Sequence, residues 1–123
     1  MMRQVGLSPR CLEDPEAPVA AESVRELLEK SAQATGAEDF ALRLAARRTL
    51  SNLGPISLVL KEEPTPRQAL DTLCRYLRLL NASLIVRIEE SVDMVTISEE
   101  LLVPQSRSMG QPMQVAVGVM FRI

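Results

Sequence analysis

The chain has 123 residues, 46% of them hydrophobic and 24% charged, which matches a folded soluble protein and excludes a disordered or fibrous one. Fourteen basic and sixteen acidic residues give a net charge of −2, so the basic excess of a free-standing nucleic-acid binder is missing. There is no histidine, and with it go the usual general base at neutral pH and the commonest metal ligand.

A chain of this length buries about two-thirds of its unfolded surface and is expected to be a single domain. Only Phe40, Tyr76 and Phe121 are aromatic, so the core is to be built from Leu, Val, Ile, Ala and Met. Met1 to Pro15 lacks the apolar run of a secretory signal. Val115 to Phe121 is far below the roughly 20 residues that cross a bilayer. Cys11 and Cys74 read as unpaired thiols of a reducing compartment, and the expected location is the cytoplasm, with no membrane contact.

Residues 1 to 19 contain Pro9, Pro15 and Pro18 and read as an extended lead-in, with Leu12 and Val19 as its anchors. Residues 20 to 80 read as mainly helical. From Ala20 to Thr35, the positions Val24, Leu27, Leu28, Ala32 and Thr35 form one buried stripe, and Gly36 is a left-handed stop. Arg25 with Glu29, and Glu26 with Lys30, are expected on the solvated face. A second helix is predicted over Glu38 to Arg48, with Phe40, Ala41, Leu44 and Ala45 inward and its charges complementing the helix dipole.

Leu50 to Pro55 is a turn by composition. Ile56 to Leu60 fits a buried strand or a short helix by length, and the helix is preferred. Thr65, Pro66 and Gln68 carry a hydroxyl cap, a proline at the first helical position and the glutamine of a capping box. Leu70, Leu73, Cys74, Leu77 and Leu80 then share one helical face.

After Asn81 the apolar period changes to two. Leu84, Val86 and Ile88 alternate with Ile85, Arg87 and Glu89, Ser91 to Asp93 form a turn, and Met94 to Ser98 alternates again. An antiparallel hairpin over about 83–99 follows, and it needs a helix to cover it. Pro104 to Pro112 reads as a loop. Met113 to Ile123 fits a helix and a strand equally well. The fold class expected is α+β, several helices packed on a small antiparallel sheet.

No catalytic, cofactor, metal or DNA-binding residue is predicted, and ligand-binding residues are not readable. The two cysteines lack zinc-site spacing, and no arrangement of glycines resembles a phosphate loop. The acid pairs Glu13 with Asp14, Glu38 with Asp39, Glu62 with Glu63, Glu89 with Glu90, and Glu99 with Glu100 read as solvated charge. Arg87 is expected to point to water, and Tyr76 to sit at the core edge with its hydroxyl wet. Met94, Met109, Met113 and Met120 read as gap-fillers. Enzymatic activity is not expected.

The order of segments resembles a known family. The run from Val5 through Gly6, Leu7, Ser8, Pro9 and Arg10 to Cys11-Leu12-Glu13-Asp14-Pro15, then Val24 to Gly36, then Asp39-Phe40-Ala41-Leu42-Arg43-Leu44-Ala45, carries the resemblance. Leu53-Gly54-Pro55-Ile56-Ser57-Leu58, Pro64-Thr65, Gln68-Ala69-Leu70 and Tyr76-Leu77 extend it. Together they resemble the N-terminal sensor domain, called arabinose-binding, of AraC-family transcription regulators. These are packing and turn residues, so no binding residue carries across.

The resemblance implies a bacterial regulator fragment, truncated at Ile123 before the rest of the sensor and two DNA-binding helix-turn-helix units. It also implies that Met113 to Ile123 begins a helix. The partners expected are a small-molecule effector and a second copy of the chain as homodimer, with DNA reached only through a domain absent here. The alternative is a structural dimerisation module without a ligand.

Overall fold

The computed structural model describes residues 1–14, 16–102 and 109–122. Among them are five helices and one two-stranded antiparallel sheet, an α+β fold as the sequence pattern predicts. The chain divides into two compact units: Met1–Arg47 with the C-terminal helix Gly110–Met120, and Arg48–Leu102.

In the first unit, helix α1 spans Ala21–Thr35 and stops as predicted at Gly36, whose φ of 66° is left-handed. The Gly36 and Ala37 N–H groups donate back to Gln33 and Ala32, at 3.3 and 3.2 Å, closing the helix end. The buried stripe is turned relative to the predicted one, because it runs through Arg25, Leu28 and Ala32. Arg25 is only 6% exposed, a correction to its reading as surface charge. Its guanidinium pairs with Glu22, one turn back, through Nε at 3.0 Å and Nη2 at 2.8 Å. The long aliphatic stem packs while the bidentate pair satisfies the head. Glu26 and Lys30 do form the expected pair, at 2.8 Å and partly exposed.

The lead-in is not extended. Met2–Val5 and Pro9–Leu12 form 3-10 turns. Ser8 accepts from the Arg10 N–H, and Pro9 occupies the first turn, where its missing N–H costs nothing. Val5 and Leu7 are buried and anchor the segment, whereas Leu12 is 73% exposed and Val19 is exposed too.

Helix α2, Phe40–Ala46, is shorter than predicted at both ends. Ala41 and Ala45 are its buried positions. Helix α5, Gly110–Met120, resolves the C-terminal ambiguity in favour of a helix. Gly110 to Pro112, read as loop, belong to its first turn, where proline is tolerated. The remainder of the predicted loop, Pro104 to Ser108, lies outside the described residues. A methyl group added at Gly118 of α5 would sit 2.6 Å from the Ala45 Cβ, so α2 and α5 meet at small residues with backbones close together.

In the second unit, Thr49 and Asn52 form a reciprocal cap on the 3-10 turn Leu50–Leu53, and Gly54 adopts a φ of 66°. Helix α3, Ile56–Glu62, is the preferred alternative for its segment. Only Ser57 and Leu60 are buried, while Leu58 and Val59 are exposed, a one-sided pattern that a strand buried on both faces would not show.

Helix α4, Pro66–Leu80, begins at the predicted cap, with the Gln68 N–H donating to Thr65 Oγ1 at 3.2 Å. Leu73 and Leu77 are buried, with Leu73 at 1% exposure. Thr72 is buried as well, and its hydroxyl donates to Glu63 Oε1 at 2.6 Å, tying α4 to the end of α3. Leu80 departs from the predicted stripe and is exposed, because the chain leaves the helix at Asn81 in an extended conformation.

Strands β1, Leu84–Glu90, and β2, Val95–Leu101, pair antiparallel with Leu84 opposite Leu101, Val86 opposite Glu99 and Ile88 opposite Ile97. The hairpin therefore runs two residues beyond the predicted end. Ser91 N–H donates to the Met94 carbonyl at 2.8 Å across the turn. α4 packs along β1, and Arg67 at its start pairs with Glu90 at the far end of the strand.

Burial makes two stability predictions. Leu73→Ala and Leu77→Ala should each cost about 2–5 kcal/mol in denaturant melts, while Leu80→Ala should stay within about 0.5 kcal/mol. Gly118→Ala should destabilise by about 1–3 kcal/mol through overpacking, and adding Ala45→Gly should recover part of that loss.

Candidate functional site

The second unit carries a half-open groove of about 310 Å³ lined by Arg78, Ala82, Leu84, Ile85 and Leu102. It forms where α4 reverses into β1. Asn81 organises that reversal: its Oδ1 accepts from the Ser83 N–H at 3.0 Å, and its carbonyl accepts from the Leu84 N–H at 3.3 Å. Leu102 N–H donates to the Ser83 carbonyl at 2.7 Å, which brings the residue after β2 against the same turn. Four walls are aliphatic. The fifth is the guanidinium-bearing side chain from the last turn of α4, where a cation complements the helix C-terminus.

Strict alternation would send one of Leu84 and Ile85 to water, yet both are only partly exposed. Two adjacent large apolar residues at the start of a strand are the sequence signal for this groove, whose ligand-binding residues the sequence alone does not reveal. Arg87, Tyr76 and the methionines lie elsewhere. Arg87, opposite Ser98 in the register, points to water as expected, and Tyr76 is an exposed edge residue. Met94 lies exposed beside the hairpin turn, while Met109, Met113 and Met120 are half-buried.

Both cysteines are free. Burial, and then the Asp71 carboxylate, push the Cys74 thiol up against a smaller opposing pull from Arg67, so it is a poor nucleophile at neutral pH. Among the described residues no three His, Cys, Asp or Glu side chains converge as a metal site. No helix among them is long and apolar enough to cross a membrane.

One acid departs from its reading as solvated charge. Glu99 shares a sheet face with Val86, Leu84 and Ile88, and its Oε1 is enclosed without a hydrogen-bond partner. Burial alone pushes its carboxyl up from the ordinary value. The period-two register explains the position: residues 95, 97, 99 and 101 face one way, and Glu99 occupies a place an apolar residue would fill.

The raised Glu99 value sets a pH dependence. Below the ordinary carboxylate value the group is protonated in folded and unfolded chains alike and contributes no difference. As pH rises through the window above it, the unfolded chain ionises first, and stability falls. Glu99→Gln should therefore melt higher than the parent near pH 7. That advantage should vanish on acidification below about pH 4, as followed by thermal melts.

No curated protein matches the sequence closely enough to count as a relative. A family model does: the arabinose-binding domain of AraC transcription regulator, N-term, matches residues 1–123. The chain therefore belongs to the family of N-terminal arabinose-binding domains of AraC transcription regulators.

Proposed function

We propose that the chain is the effector-sensing part of a bacterial AraC-type transcription regulator, acting in the cytoplasm as one sensor domain and pairing as a homodimer. DNA is engaged by a unit outside these residues. The observation that carries this reading is the match of a ligand-binding regulator family to residues 1–123, in a chain whose second unit has a groove at a helix-to-strand reversal. Catalysis is no part of the role, since the groove offers no general base, nucleophile or metal set.

A small effector in that groove would bear on Leu102 and on the adjacent Leu84 and Leu101 pair, the last of the hairpin ladder. An effector with different affinities for two arrangements of that end shifts the balance between them, and the attached DNA-binding unit responds. The family is named for arabinose. Four aliphatic walls do not suit a pentose, whose hydroxyls each need a polar partner.

A second reading, a dimerisation module without a ligand, draws on the far end of the hairpin. Val92, Met94, Val95 and Ile97 are all exposed there, and clustered exposed apolar side chains mark association surfaces. Thermal-shift screening against small metabolites at two protein concentrations separates the readings. Sensing predicts a stabiliser whose effect grows with concentration, about 2.7 kcal/mol at one hundred times its Kd. A melting point that depends on protein concentration, with no stabiliser, supports the ligand-free module.

A further inference from the structure

We propose that the groove takes a small amphipathic monoanion, a single carboxylate carried on an apolar body, with Arg78 as its anchoring cation. This rests on the sensing role and names the chemistry of the ligand.

Three features point there. The walls given by Ala82, Leu84, Ile85 and Leu102 can bury only apolar surface, and Arg78 is the one charged group among the lining residues. Arg78 makes no ion pair or side-chain hydrogen bond with any described residue, and Asp71, the sole acid of α4, is engaged by Arg67 at 3.1 Å. A guanidinium presents a rigid fork of donors that matches a carboxylate bidentately, which fixes orientation while the aliphatic walls take up the body.

The space of about 310 Å³ is at the small end of ligand sites. It admits a compact alkyl or aryl chain and no polymer. The charge count follows from the lining: Arg78 is its one cation, so a second carboxylate on the ligand finds no partner among the aliphatic walls. A polyol finds no hydrogen-bonding counterpart among the aliphatic walls, and an amine meets a like charge.

The test is calorimetric titration of the 123-residue chain with 4-phenylbutyrate, 4-phenylbutan-1-ol, 4-phenylbutylamine, phenylsuccinate and arabinose. 4-Phenylbutyrate should bind at least about tenfold more tightly than the alcohol, as a charge-assisted pair requires. Phenylsuccinate should bind more weakly than the monoacid, and the amine and arabinose not at all. Added salt should weaken the monoacid and leave the alcohol unchanged. Arg78→Gln should lose about tenfold or more for 4-phenylbutyrate while the chain still melts cooperatively, its midpoint lowered only by the loss of one exposed helix-end charge, and Arg78→Lys should keep part of the affinity.

Equal binding of acid and alcohol, or an acid affinity untouched by Arg78→Gln, overturns the proposal. Binding of arabinose or the amine, insensitive to Arg78→Gln, overturns it while leaving the sensing role standing. No binding by any of the five overturns it as well, and the metabolite screen at two protein concentrations then decides whether the sensing role falls with it.

Discussion

Helix α2 has no side-chain cap of its own and is capped from seventy residues downstream, where Gln111 Oε1 accepts the Ala41 N–H at 2.9 Å. The same amide donates through Nε2 to the Glu38 carbonyl at 2.7 Å. Its backbone N–H, in the first turn of α5, donates to Glu29 Oε1 of α1 at 3.2 Å. One buried glutamine thus joins the three helices of the first unit. Seven residues are too few to sustain a helix in water, so α2 exists by virtue of this contact and the close approach at Ala45 and Gly118. A negative side chain at the start of α5 also meets the positive end of its dipole.

The second unit is organised differently. A strongly one-sided helix, α4, starts at a cap encoded within four residues, buries Leu73 and Leu77, and packs on α3 and on the first strand of a local hairpin. Everything from Thr65 to Leu101 is contiguous in sequence. Helix and strand run in opposite directions, and their junction at Asn81 to Ser83 brings Ala82, Leu84, Ile85 and Leu102 around a half-open space. The groove is the geometric consequence of that reversal, and it sits at the hairpin end where the ladder finishes.

Polar groups set the specificity of both units. Arg25 with Glu22, Thr72 with Glu63 and Gln111 with its three partners are satisfied where they are buried, as folded interiors require. Glu99 and Gln114 are exceptions, each with an enclosed side-chain oxygen that has no hydrogen-bond partner, and the Glu99 carboxylate lowers stability at the pH where it must ionise.

The features legible in the sequence are those whose cause is local. Gly36 ends α1 because only glycine reaches its left-handed φ cheaply. Thr65 with Pro66 starts α4 because hydroxyl and ring suit those two positions. The change of period after Asn81 marks the hairpin because side chains alternate on a strand. Tertiary contacts decided the rest. Arg25 is buried because its face of α1, and not that of Val24, turns inward. Leu80 is exposed because the helix ends at that residue. Gly110 to Pro112 are helical because Glu29 and the α2 backbone are there to receive Gln111. Ile56 to Leu60 and Met113 to Met120 were apolar runs compatible with two periods, and only the partner surface selects between them. The groove belongs to this second class, since Arg78 and Leu102 are distant in sequence and become neighbours only when α4 and the hairpin close around Asn81.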